Sequence, residues 1–262
     1  VSVLAAKILL APMFVIGASL IARRYGARVG GLVGGLPVVA GPILLVFALS
    51  HGRAFAAEAA AATLLGIVSL LAFVVVYAHL ASRMRWAASL IVGWGAFFAM
   101  TGTLSTLTLS VDPTLALVLA AVGLTLAVLP RVSVERLSTI RRPSWDLPLR
   151  GLSALALVLA LTAVAGQLGA KLSGLLAPFP VIASVLAVFT HTQHGEQDLL
   201  RIMRGFVMGL VAYALFCFAL ATTLRSLGIA ESFLLATAAA LAAQALALGV
   251  GRRGREPATE PL

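Results

Sequence analysis

The residue types best suited to chemistry lie in one run, His191-Thr192-Gln193-His194-Gly195-Glu196-Gln197-Asp198. His191 and His194 stand three apart, a spacing that shares a helix face, and the two carboxylates are of the kind that completes a zinc site. A related stretch earlier in the chain keeps only His51 of this set. Asp198 also stands where a helix N-cap is useful. The run therefore reads as a polar turn before a helix starting near Leu200, and neither a metal nor another cofactor is expected. His79 is assigned no role. Other catalytic signatures are missing: there is no G-x-S-x-G, no H-E-x-x-H, no C-x-x-C and no phosphate-binding glycine loop. No enzyme activity is expected.

A second kind of chemistry needs only charge at the entrance to a pathway. Arg28 and Lys171 take equivalent places at the start of two similar stretches, and Lys7 and Arg150 form a second such pair. All four charges lie near pathway mouths: Arg28 and Lys171 could draw an anion to either entrance or anchor helix ends at the membrane interface, and Lys7 is expected to snorkel to that interface. Glu58 and Glu231 fit helix-start electrostatics.

The stretches that would have to position these charges are Gly26 to Gly52 and Gly169 to Gly195. Each is apolar and carries a proline, Pro37 or Pro180, inside a run long enough to span a bilayer. Proline removes one helical hydrogen bond and clashes with the preceding turn, and lipid offers no replacement partner. Gly30, Gly31, Gly34, Gly35 and Gly41 in the first stretch, with Gly174, Pro178 and Pro180 in the second, give a broken helix that could line a substrate pathway. The same small residues at spacing four also suit close helix packing, and both readings stay open. Trp94 lies deep enough in its own run to line a cavity, whereas Trp86 and Trp145 read as interfacial anchors.

Composition sets the class. Of 262 residues, 61% are hydrophobic and 11% charged, against about a quarter charged in soluble domains. Apolar runs of about 18 residues or more recur, each able to cross a hydrocarbon core of about 30 Å. The expected fold is all-α: a polytopic transmembrane bundle of nine spans, at 2–22, 29–50, 55–80, 87–108, 114–129, 149–167, 172–190, 200–223 and 231–250. The first run is expected to be a retained span, since it lacks the basic start and short apolar core of a signal peptide. Asp112-Pro113 and Pro130-Arg131 are the expected stops around the short fifth span. Cys217 is the single cysteine, which excludes disulfides within the chain.

A net charge of +10 would suit nucleic acid, but the basic residues fall between apolar runs rather than on one face. They read as topology signals, and no nucleic-acid partner is expected. With the N-terminus outside and the C-terminus cytoplasmic, 15 of the 19 Lys and Arg residues fall on the cytoplasmic side and 4 outside, as the positive-inside rule requires. The expected location is a bacterial inner membrane, with the lipid bilayer as the constant partner.

The chain also repeats. Gly26, Gly31, Pro37, His51 and Gly52 recur 143 residues later as Gly169, Gly174, Pro180, His194 and Gly195. Gly66 falls on Gly209, Phe73 on Phe216 and Lys7 on Arg150. The expected organisation is a four-helix repeat at 1–108, a linking helix and basic cytoplasmic loop at 109–148, a second repeat at 149–250, and a polar tail at 251–262. An odd number of crossings separates equivalent points, so the repeats should be inverted about an axis in the membrane plane.

The segment 173–191, SGLLAPFPVIASVLAVFTH, resembles the small four-helix GlpM-like bacterial inner-membrane proteins, which look like one copy of this repeat. The resemblance covers roughly 150–250, and 7–107 more faintly, where Gly35-Leu36-Pro37 replaces Pro178-Phe179-Pro180. It implies a fold and a location but no defined activity. The overall layout, a four-helix unit fused to its inverted copy through one helix, is also similar to that of fused fluoride channels, without their sequence signatures.

The expected function is a small secondary transporter or channel-like protein with its pathway between the repeats, carrying a small anionic or neutral solute. The alternative is a non-transporting membrane protein that supports envelope polysaccharide or lipid metabolism. The oligomeric state is left open.

Overall fold

The computed structural model describes residues 3–37, 40–132, 147–153, 155–156 and 169–253. Among these the chain is helical throughout: α1 (Val3–Tyr25), α2 (Ala27–Gly34), α3 (Ala40–His51), α4 (Arg53–Leu80), α5 (Trp86–Ser105), α6 (Val111–Val128), α7 (Ala170–Leu176), α8 (Val181–Thr223) and α9 (Ile229–Arg253). Residues 147–153 are also helical. Most of the expected sixth span at 149–167, the loop residues 133–146 with Trp145, and the tail from 254 lie outside the described residues.

Five helical segments among the described residues are long and apolar enough to cross a membrane: Arg53–Leu80, Trp86–Ser105, Val111–Val128, Ala170–Thr223 and Ile229–Leu248. The fourth is 54 residues long, which as one rod would reach about 80 Å, far beyond a hydrocarbon core of about 30 Å. It is not one rod. The chain breaks between α7 and α8, and Gly195 inside α8 has φ 78° and ψ −174°. That conformation is accessible to glycine alone at little cost, so α8 consists of two limbs, 181–194 and 196–223.

Helix boundaries recur at the spacing of the sequence repeat. α4 over 53–80 matches the second limb of α8 over 196–223, and α5 over 86–105 matches α9 from its start to 248. Gly52 has φ 86° and ψ 167°, nearly the backbone of Gly195, so the same glycine turn joins equivalent helices in both copies. Gly26 and Gly169 do not match: φ is 95° at the first and −65° at the second.

Two helix starts differ from expectation. Asp112-Pro113 does not stop a helix but lies in the first turn of α6, where proline's missing N–H costs nothing. Asp198 is not an N-cap, because the second limb of α8 begins directly after Gly195.

The copies pack by exchanging partners. A Cβ on Gly31 of α2 would collide with the Ile202 carbonyl and Phe206 N of α8, and one on Gly174 of α7 with the Ala59 carbonyl of α4. Ile202 and Ala59 stand at equivalent places in the two copies. A Cβ on Gly209 would collide with the Leu32 carbonyl, and one on Gly66 would lie 2.6 Å from the equivalent Leu175 carbonyl. Each short helix therefore lies on the long helix of the other copy, at the same register.

The long helices themselves run antiparallel. Arg53 at the start of α4 donates from Nη1 to the Leu227 carbonyl, just past the end of α8, at 2.9 Å. At its other end, the Tyr77 hydroxyl lies 3.4 Å from His191 Nδ1, before the second limb begins. The core between them includes Leu64, Ile67, Phe73 and Tyr77 of α4 with Met203, Val207 and Leu210 of α8, all fully buried. Leu234 of α9 and Leu124 of α6 are instead 71% and 66% exposed, as outward faces in contact with lipid would be.

Candidate helix-break site

The residues around Pro37 and Pro180 form two breaks with one backbone pattern. In copy 1, the Leu36 N–H turns to the Val33 carbonyl at 3.1 Å, and Gly41 N–H donates to the Pro37 carbonyl at 2.8 Å. In copy 2, Phe179 N–H turns to the Leu176 carbonyl at 2.9 Å, and Ser184 N–H donates to the Pro180 carbonyl at 2.8 Å. In an unbroken helix Leu36 and Phe179 would donate to Leu32 and Leu175. The break therefore frees the Leu32 and Leu175 carbonyls in an apolar interior, where an unpaired polar group is costly.

Copy 1 solves this with a side chain from the other repeat: Gln244 Nε2 on α9 donates to the Leu32 carbonyl at 3.0 Å, and both partners are buried. Around the copy 2 break the side chains are aromatic. Trp94 Nε1 on α5 donates to Ser184 Oγ at 3.0 Å. Its ring lies 5.7 Å from that of Phe179, which also meets Phe97 at 5.4 Å and Phe98 at 5.6 Å. Trp94 thus lies at a break, and Ser184 gives its N–H a partner inside the apolar region.

The glycines of the candidate pathway lie in packed seams. Gly30 abuts Ala18 and Ala22 of α1, Gly31 and Gly35 abut the backbone of α8, and Gly174 abuts α4. Gly34 faces Ile182 and Leu186, and a Cβ on Gly41 would lie 3.4 Å from the Phe216 ring. Pro178 and Pro180 are buried and Pro37 is half-buried. At Gly30, Gly31, Gly35 and Gly174 helices meet with no room for a side chain, and the polar groups of the breaks lie beside them.

The four charges differ in setting. Arg28 is exposed and donates from Nη2 to Met208 Sδ at 3.4 Å. Lys171 is half-exposed. Arg150 is buried, with its guanidinium 4.8 Å from the Phe189 ring centroid and Nη2 3.4 Å from Gln193 Oε1. Lys7 lies on α1, and its side chain falls outside the described residues. The polar run at 191–198 is split by Gly195: His191 meets Tyr77, while Asp198 pairs with Arg201 at 2.6 Å. Among the described residues no three His, Cys, Asp or Glu side chains gather as a metal site would.

Sequence reasoning missed Arg204. Its guanidinium donates to the carbonyls of Leu126 at 3.1 Å, Leu129 at 2.7 Å and Pro130 at 3.1 Å, closing the C-terminal end of α6. A cation at a helix C-terminus satisfies orphan carbonyls and faces the negative end of the helix dipole. The only sequence signal was an arginine four residues into a span.

Comparison with protein-family models, characterised proteins and solved structures finds no match to this chain. The likeness of 150–250 to GlpM-like proteins therefore rests on its short apolar motif.

Proposed function

We propose that this chain is a non-enzymatic, multi-pass membrane protein built from two inverted four-helix repeats, acting as a small secondary transporter or channel-like protein. Antiparallel α4 and α8, joined to reciprocal packing of α2 and α7, support the inverted arrangement. Equivalent helices pointing opposite ways fit an axis in the membrane plane, with nine crossings and the basic segments inside a bacterial inner membrane. Such repeats place discontinuous helices at the centre of the bilayer, where freed backbone groups can meet a solute.

One observation carries the transport reading: both copies break at the same register, freeing Leu32 and Leu175 carbonyls deep in the bundle. A protein that needed only packing could use unbroken helices with the same glycines. Reconstitution tests this. Purified protein in liposomes should accelerate the flux of at least one solute in a panel of small anions and neutral metabolites. Pro37→Ala and Pro180→Ala, by restoring helix, should each lower that flux. No flux for any solute, with both variants unchanged in thermal stability, would sink the proposal.

The second reading, a non-transporting protein that holds lipid or partners for envelope metabolism, has its own support. Gly31, Gly35 and Gly174 sit against opposing backbone with no gap for a solute at those faces. On this reading the breaks serve close approach of helices and the proline variants change stability alone.

A further inference from the structure

Thr101 and Gln244 occupy equivalent positions in the two copies, one on α5 and the other on α9. Both side chains are buried, at 6% and 7% exposure. Gln244 reaches the carbonyl freed by the break of copy 1, at 3.0 Å. The shorter Thr101 side chain does not do the same for copy 2: its hydroxyl is buried without a hydrogen-bond partner. Met100 and Leu104, which flank Thr101 along α5, pack in one cluster with Leu175. The freed Leu175 carbonyl and the unpaired hydroxyl thus lie in the same part of the bundle, where the other copy places an amide donor.

We propose that the Thr101 hydroxyl and the Leu175 carbonyl form a site for a small hydrogen-bond donor. Its occupant is a water molecule, or the O–H or N–H group of a small neutral solute in its place. The Leu175 carbonyl only accepts, whereas the Thr101 hydroxyl both donates and accepts, so the occupant must donate to the carbonyl and can pair with the hydroxyl in either sense. A bare anion has no hydrogen to give the Leu175 carbonyl. Assigning a neutral polyol or urea-like cargo rests on the transport reading above, whereas the donor site itself does not.

Two measurements separate these claims. Thr101→Gln should supply the amide that Gln244 supplies in the other copy, while Thr101→Met offers similar length without a donor. In detergent, the full-length Gln variant should melt about 3 °C or more above the Met variant, the shift expected for one buried hydrogen bond of about 1 kcal/mol. A Met variant as stable as the Gln variant, or more so, overturns the donor site. In proteoliposomes, glycerol and urea entry are followed by light scattering, with shrinkage in sucrose reporting water alone. Thr101→Gln should cut solute entry at least tenfold and Thr101→Ser should keep it. If wild-type protein passes glycerol or urea and the Gln variant passes it equally well, the solute assignment is overturned. If wild-type liposomes match empty ones for glycerol and urea, the solute assignment is overturned, while the transport reading is decided by the wider panel of anions and metabolites. The order of melting temperatures then still decides whether a donor, supplied by water, is held there.

Discussion

The breaks at Pro37 and Pro180 follow one backbone course and meet its cost differently. Copy 1 uses small residues: Gly34, Gly35 and Gly41 let α8 come close, and Gln244 crosses from the other repeat to hold the freed Leu32 carbonyl. Copy 2 has Pro178-Phe179-Pro180, a cover formed by Trp94, Phe97 and Phe98, and the Trp94–Ser184 hydrogen bond. At the position equivalent to Trp94 the chain has Thr237, which is exposed, and Gly41 stands in place of Ser184. The backbone requirement is thus the shared element, and the side chains that meet it have diverged. A second asymmetry has a plain cause. Arg204 closes the end of α6, and its equivalent is Ala61. Ala61 has no side chain able to reach a helix end, so only Arg204 makes such a closure.

The comparison can be broken most forcefully at the shared seams. Gly31→Leu and Gly174→Leu force a side chain into opposing backbone, and each should destabilise by about 3 kcal/mol or more. Gly95→Leu, where a Cβ meets nothing within 4 Å, is the control and should be near neutral in a detergent melt. Unequal losses at Gly31 and Gly174 would mean that the two seams are less symmetric than their matching registers imply. The glycine turns are a second shared element. Gly52→Ala and Gly195→Ala each place a Cβ at positive φ, and each should cost about 2 kcal/mol. The smallest effect sharpens the difference between the breaks: Trp94→Phe keeps the ring and loses the Ser184 bond, lowering stability by about 1 kcal/mol. Thr237, its exposed counterpart, should tolerate Val or Ser with a smaller change in melting temperature.

Much of this arrangement was legible in the sequence because it is local. Pro37 and Pro180 mark the breaks, Gly52 and Gly195 the turns, and the spacing between copies predicts where α4 and α5 recur. Helix ends were less legible: Asp112-Pro113 reads as a stop because proline is ambiguous between ending a helix and opening one. The partners of the breaks were not legible at all. Gln244 meets Leu32 across 212 positions of chain, and Arg204 meets α6 across more than 70. Such pairs depend on how helices are arranged in space, which hydrophobic periodicity does not encode. For the same reason the sequence could not say whether Gly31 and Gly174 line a pathway or seat a helix, and the structure puts both against opposing backbone.

The central claim is that equivalent segments face opposite sides of the membrane. Ser82 and Arg225 are equivalent, exposed, and located just after α4 and α8. In a Cys217→Ala background, Ser82→Cys and Arg225→Cys should be probed separately with a membrane-impermeant thiol reagent in intact cells. Arg225→Cys should react at once, and Ser82→Cys only after the inner membrane is permeabilised. Labelling of both from the same side would contradict the inverted arrangement.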